Sequence, residues 1–122
     1  MPQTWYLYVV RTVHGTLYTG IATDVARRYA EHCAGGTRCA RYLRAHPPAA
    51  LVLRQPIGSR AVALRVEYRF KRLPRAAKDA VVRAGRLTFN PDSGAVNGPA
   101  PKTREGRARH ALSRTPARAR PR

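Results

Sequence analysis

A chain of 122 residues favours one domain with one modest core and leaves no room for a second. Its 24 Lys and Arg stand against six Asp and Glu, a formal charge of +18. A neutral-substrate enzyme has no use for that excess, whereas a polyanion is bound by it through counterion release. No apolar stretch approaches the roughly 18 residues that cross a bilayer, and no basic amphipathic helix carries an aromatic or leucine face suited to a lipid surface. Nucleic acid is therefore the expected partner, and a membrane is not.

Only Lys71, Lys78 and Lys102 are lysines; every other basic residue is arginine, the side chain suited to bidentate phosphate contacts. A GC-rich genome would produce the same preference, but not the shortage of acids. The two cysteines, Cys33 and Cys39, lack the spacing of a zinc pair and have no second pair to join. With no signal peptide apparent, free thiols in a reducing cytoplasm are expected. Cys33 is read as a small buried residue and Cys39 as incidental.

Trp5 to Thr12 is aromatic and β-branched and predicts a strand. His14-Gly15 marks a turn, and Thr16 to Ile21 predicts a second strand, closing a hairpin. Gly20 inside that strand signals a bulge or a close approach of another group. Asp24 to Ala34 predicts a helix with Thr23 as N-cap and Gly35-Gly36 as its end; Val25, Tyr29 and His32 or Cys33 fall on one face. Arg38 to Ala45 is a short helix or an ordered basic loop, stopped by Pro47-Pro48. Ala50 to Gln55 suits a buried third strand. Ser59 caps a longer helix reaching about Leu73, with Ala63, Val66, Phe70 and Leu73 along its apolar face. Pro74 begins a further helix carrying Ala77, Ala80, Val81 and Ala84, which Gly85 ends.

Beyond Gly85 the composition shifts to Pro, Gly, Ser and Arg. The expected division is a folded domain over residues 1–86 and a disordered basic tail over 87–122. The stretch after Gly85 holds nine of the basic residues and two acids, so the part up to Gly85 keeps a net charge of +11. The basic character is not a tail effect.

Read together, Tyr6-Leu7-Tyr8, then Leu17-Tyr18-Thr19-Gly20-Ile21, then the helix from Asp24 to His32, resemble the GIY-YIG nuclease superfamily. The later AVALRVEYRFKRL is similar to its metal-binding helix. The resemblance runs from about Thr4 to Gly85 and is nearest to the small stand-alone bacterial members. It implies an α/β fold: a small three-stranded antiparallel sheet flanked by three to five helices. It also implies a metal-dependent endonuclease using Mg²⁺ or Mn²⁺, acting on DNA, with repair or branched-DNA processing as the natural context.

By the same resemblance the catalytic residues are Tyr8, Tyr18, Arg28, His32 and Glu67, with Glu67 as the metal ligand. The bland reading of Glu67 is an i,i+4 pair with Lys71, and His32 is as readily a structural helix histidine. Gly20, Arg27, Arg38, Arg41, Tyr42 and Arg44 are expected to meet the substrate, the basic loop holding phosphates while Tyr42 stacks a base. Three departures are visible: tyrosine at position 6 replaces a motif glycine, Thr19 stands in the middle of the second half-motif, and the asparagine that larger members place after the last helices has no match in spacing, since Asn90 and Asn97 fall in the expected tail. The alternative function is a noncatalytic nucleic-acid-binding module with a degenerate site. A homodimer would let one domain serve both strands of a duplex.

Overall fold

A computed structural model of the chain describes residues 3–99. Three strands form the main sheet in the order β2-β1-β3: β1 (Trp5–Thr12), β2 (Leu17–Ala22) and β3 (Pro48–Gly58), with both pairings antiparallel. Four helices flank it: α1 (Val25–Ala34), α2 (Arg41–Ala45), α3 (Arg60–Lys71) and α4 (Arg75–Ala84). The expected α/β architecture is the one observed.

The central strand explains the layering. β1 is hydrogen-bonded on both edges and covered on both faces, so four consecutive residues, Leu7 to Val10, are buried. Alternation sends Leu7 and Val9 to one side, where they pack with Leu53, Val66, Phe70, Val81 and Leu87. Tyr8 and Val10 go to the other side, with Ala22, Val25, Cys39 and Leu43. The molecule thus has an apolar core on the α3 and α4 side and a second, tyrosine-bearing core under α1 and α2.

Local chemistry sets the element ends. In the hairpin turn Thr12 Oγ1 accepts from the amides of His14 and Thr16, and Gly15 takes φ +82°. Helix α1 begins one residue later than expected: Asp24, not Thr23, is the N-cap, its Oδ1 accepting from Arg27 N at 3.1 Å. Ser59 caps α3 as expected, whereas Pro74 is the N-cap of α4 and not its first helical residue. Strand β3 is far longer than Ala50 to Gln55. Pro48 and Pro56 look like breakers in the sequence, but β3 is an edge strand, where a missing N–H costs no ladder bond. The cysteine expectation is reversed: Cys33 is exposed and Cys39 buried. Helix α1 aims the face containing His32 inward, which leaves its neighbour Cys33 turned toward solvent.

The domain does not stop at residue 86. Two further strands, β4 (Leu87–Phe89) and β5 (Val96–Pro99), pair antiparallel as a separate small sheet. Leu87 is fully buried in the apolar core. Buried Gln55 behaves as a surrogate strand neighbour: its Nε2 donates to Leu87 O at 2.8 Å and its Oε1 accepts from Leu87 N at 2.7 Å. Asn90 shapes the connecting turn, its Oδ1 accepting from Asp92 N and Ser93 N. The Pro, Gly and Ser content that suggested disorder over 87–99 is turn chemistry for this hairpin. The rest of the expected tail, residues 100–122, lies outside the described residues.

Replacing Gln55 with Ala leaves both Leu87 backbone groups buried without partners. The expected cost is roughly 2–4 kcal/mol, read from urea denaturation, with early loss of amide-exchange protection at Leu87. A truncation after Arg86 is expected to lower the melting temperature, because it removes a core side chain.

Candidate active site

The site is assembled around the closest approach in the main sheet. Tyr8 pairs with Gly20 across β1 and β2, and its ring lies over the glycine. A Cβ at Gly20 would sit 2.5 Å from the Tyr8 hydroxyl oxygen. The glycine is the close approach expected of it and not a bulge; the register shifts lie between β1 and β3 instead.

The space left by Gly20 lets the Tyr8 hydroxyl reach α1, where it meets His32 Nε2 at 2.8 Å in a fully buried contact. The other ring nitrogen is also engaged: Ala40 N donates to His32 Nδ1 at 3.2 Å. An amide can only donate, so Nδ1 is the unprotonated nitrogen and Nε2 carries the hydrogen. His32 therefore donates to Tyr8, and the Tyr8 hydroxyl keeps its own proton for another partner. Buried Cys39 adds a thiol donor to His32 O at 3.2 Å. The segment before α2 thus locks both the ring and the backbone of this histidine.

Tyr18 completes the aromatic wall, its ring centroid 6.4 Å from Tyr8 and 5.5 Å from His32, edge-on to the latter. Arg28 and Glu67 come from opposite sides, from α1 and α3, and both act on Tyr8. Burial raises the Tyr8 pKa most, Tyr18 and Glu67 add to the rise, and Arg28 opposes it. Tyr8 is thus neutral at ordinary pH. Arg28 remains charged: burial works against it, but hydrogen bonding to Glu31 and the nearness of Tyr8 outweigh the penalty and raise its pKa. Tyr8, Tyr18, Arg28 and His32 are drawn into one neighbourhood, and the charge of Glu67 reaches it from α3.

The carboxylate of Glu67 is 18 % exposed and pairs with Lys71 Nζ at 3.2 Å, the i,i+4 contact its spacing allows. Among the described residues no group of three or more His, Cys, Asp or Glu side chains could hold a metal ion. Any ion here would rest on Glu67 alone among the acids. That donor set suits Mg²⁺, which takes one or two carboxylates and completes its shell with water and substrate phosphate.

The expected substrate residues divide. Arg27 and Arg38 converge with Arg28 on Glu31, at 3.4, 3.7 and 3.0 Å; Arg28 Nη1 also donates to Arg38 O. Arg41 and Arg44 are exposed on α2. Tyr42 is not a free stacking platform. Its ring lies on His46 with centroids 4.2 Å apart, runs nearly parallel to Tyr18 at 6.2 Å, and its hydroxyl donates to Thr16 Oγ1 at 2.8 Å. The ring expected to stack a base thus also seats α2 on the hairpin, while remaining 39 % exposed. Sequence reasoning missed Glu31, which organises three arginines from a helix position that looked like an ordinary surface acid. It also missed the Ala40 amide, a backbone group that no residue type reveals.

The profile of the GIY-YIG catalytic domain matches residues 4–79, the span that contains the hairpin, Arg28, His32 and Glu67. The chain belongs to the GIY-YIG family. Its similarity to small bacterial proteins is substantial: 47 % identity over 81 residues to a UPF0213 protein of Citrobacter koseri, covering 66 % of this chain and 79 % of that one. A UPF0213 protein of Cronobacter sakazakii is 47 % identical over 87 residues, covering 71 % and 88 %. UPF0213 protein YhbQ of Escherichia coli is 46 % identical over 81 residues, covering 66 % and 79 %. No solved structure matches the chain. Membership places the chain in a nuclease family and makes nucleic acid its substrate class; no described helix is long and apolar enough to cross a membrane.

Two outcomes follow from the Tyr8–His32 geometry. Gly20→Ala forces the Tyr8 ring off its seat and separates it from His32. The expected cost is about 1–3 kcal/mol, seen in thermal unfolding and as loss of the Tyr8 hydroxyl resonance. The second concerns pH. Burial and then Arg28 hold the His32 pKa below its ordinary 6.5, against Glu31. The unfolded chain therefore takes up a proton that the folded chain refuses. The stability present at neutral pH is lost as pH falls below the unfolded value toward the depressed folded pKa. Melting temperature is expected to drop more steeply between about pH 7 and 5 in the native chain than in His32→Gln.

Proposed function

We propose that this GIY-YIG domain is a divalent-metal-dependent endonuclease that hydrolyses phosphodiester bonds in DNA, in the context of repair or of processing branched DNA. The observation that carries the reading is the buried Tyr8–His32 contact at 2.8 Å with Tyr18 walling it, set where the charges of Arg28 and Glu67 both reach Tyr8. A purely structural tyrosine needs no arginine and no half-buried carboxylate beside it.

Hydrolysis needs an oriented water, neutralisation of phosphate charge and help for the leaving oxygen. Glu67 would hold Mg²⁺ or Mn²⁺, giving up Lys71 as its partner. When bound, that ion activates water and offsets charge on the phosphate oxygens. Arg28, fully charged and half-buried, binds a non-bridging oxygen and meets the charge that grows there. Tyr8 accepts from His32, so its hydroxyl proton and remaining lone pair are aimed by a fixed donor and can orient the attacking water. Its raised pKa makes it a poor base until cations gather around it. His32 acts through Tyr8 as a positioning residue: with Nδ1 occupied by Ala40 N, it cannot receive the tyrosine proton at Nε2. Tyr18 walls the site and limits where water can sit.

The Glu67–Lys71 pair is what a noncatalytic nucleic-acid-binding module would also show, and one experiment separates the two readings. Plasmid and branched DNA are incubated with Mg²⁺ or Mn²⁺ and either the native chain or Glu67→Ala. Metal-dependent cutting by the native chain, abolished in the variant while metal-free binding persists, is expected. Binding without cutting by both proteins would favour the noncatalytic reading, and equal cutting by both would remove Glu67 from the chemistry. Within an active enzyme, Arg28→Ala is expected to lower kcat by roughly 100- to 1000-fold. Tyr8→Phe is expected to lower it by about 100-fold or more.

A further inference from the structure

Beside the catalytic cluster lies a cavity of about 310 Å³ that shares only Arg28 with it. Its walls include Trp5, Thr23, Arg27, Glu31 and Arg38, with the ends of β1 and β2 beneath. The volume falls at the lower end of small-ligand sites. Three guanidinium groups line it against two carboxylates, Glu31, which pairs with all three, and Asp24, the N-cap of α1. The imbalance leaves positive charge for an anion.

The cavity also has one aromatic lining residue, Trp5. Trp5 is half-buried, and Arg60, at the start of α3, stands 5.5 Å over its ring. That cation braces the indole from the helix side while the ring still lines the cavity. Arg60 and Glu67 lie two turns apart on α3, so they share a face, separated by about 10 Å along the axis. Leu64, between them on that face, is 39 % exposed, an apolar side chain left uncovered in a row of charges. Consecutive phosphates of a duplex strand advance about 3.4 Å, so Arg60, which sits over Trp5, stands about three nucleotides from Glu67 along α3.

We propose that this cavity is a nucleobase subsite: a base of the bound strand, close to the phosphate at Glu67, leaves the stack and lies on the Trp5 indole, its own phosphate held by Arg27 and Arg38. The assignment deepens the nuclease reading and rests on it only for the placement of the scissile phosphate. A base in the cavity cannot also remain stacked in a duplex. The substrate must therefore offer, or readily yield, an unpaired nucleotide there. The stacked arginine–tryptophan pair and the arginine-lined rim are the two components of single-strand recognition, ring and charge.

Trp5 is the only tryptophan in the chain, so its fluorescence reports the cavity alone, whatever the other basic residues bind. The full chain is titrated without metal, once with oligothymidylate and once with inorganic polyphosphate, a polyanion without bases. Oligothymidylate is expected to quench Trp5 saturably, and polyphosphate to bind with little quenching. In Trp5→Leu, affinity for oligothymidylate is expected to fall by about 5- to 150-fold. Polyphosphate affinity should stay unchanged, a native circular dichroism spectrum shows that the variant is folded, and Trp5→Phe should retain most of the oligothymidylate affinity. Equal quenching by both polyanions, or oligothymidylate binding that leaves Trp5 fluorescence untouched, overturns the proposal. No cleavage enters the measurement, so a catalytically inert protein that quenches with oligothymidylate would sink the nuclease reading and keep the subsite.

Discussion

Everything around the Tyr8–His32 contact depends on the absence of one side chain. Gly20 leaves room on β2 for the ring that β1 sends across it, and the Tyr8 hydroxyl then reaches His32 on α1 at 2.8 Å. Any Cβ at position 20 would occupy the space of the tyrosine ring. The contact joins the hairpin to the first helix, and through the Ala40 amide it joins both to the segment before α2. One glycine in a strand therefore sets the seating of three elements.

That seating has an electrostatic consequence. The Tyr8–His32 pair is buried, and burial favours the neutral form of both groups. Around this neutral pair stand charged groups held by surface contacts: Arg28 by Glu31, and Glu67 by Lys71. A rigid, uncharged centre with charged groups on either side is an arrangement suited to a phosphate arriving from solvent. Glu31 keeps three arginines clustered, so that they are held in place before substrate arrives.

The second structural dependency is at the other end of the core. Gln55, a buried polar residue in an edge strand, satisfies both backbone groups of Leu87 and so anchors the β4–β5 hairpin to the main fold. Gly94 in that hairpin lies close against α3, where an added Cβ would come within 2.6 Å of Arg65 Cβ. Arg69 donates to Ser93 O at 3.0 Å. The helix that carries Glu67 is thus supported from behind by a segment whose composition alone reads as tail.

By itself the sequence determined the element order, the hairpin, the apolar face of α3 and the identity of the family, because these rest on local periodicity and on motif residues close together in the chain. Trp5 to Thr12 is a strand in both readings, and Ser59 caps α3 in both. Tertiary structure alone decided the rest. Pro48 and Pro56 are tolerated because β3 is an edge, a property of neighbours and not of the strand. Cys39 is buried and Cys33 exposed because α1 turns His32 inward. Tyr42 packs on His46 and Tyr18, since α2 folds back onto the hairpin. Leu87 enters the core only because a glutamine 32 residues earlier meets its backbone. Each of these is a partnership between residues far apart in the chain. A pattern read along the chain reports periodicity and caps; it does not report which distant group will satisfy a buried donor or fill the space above a glycine.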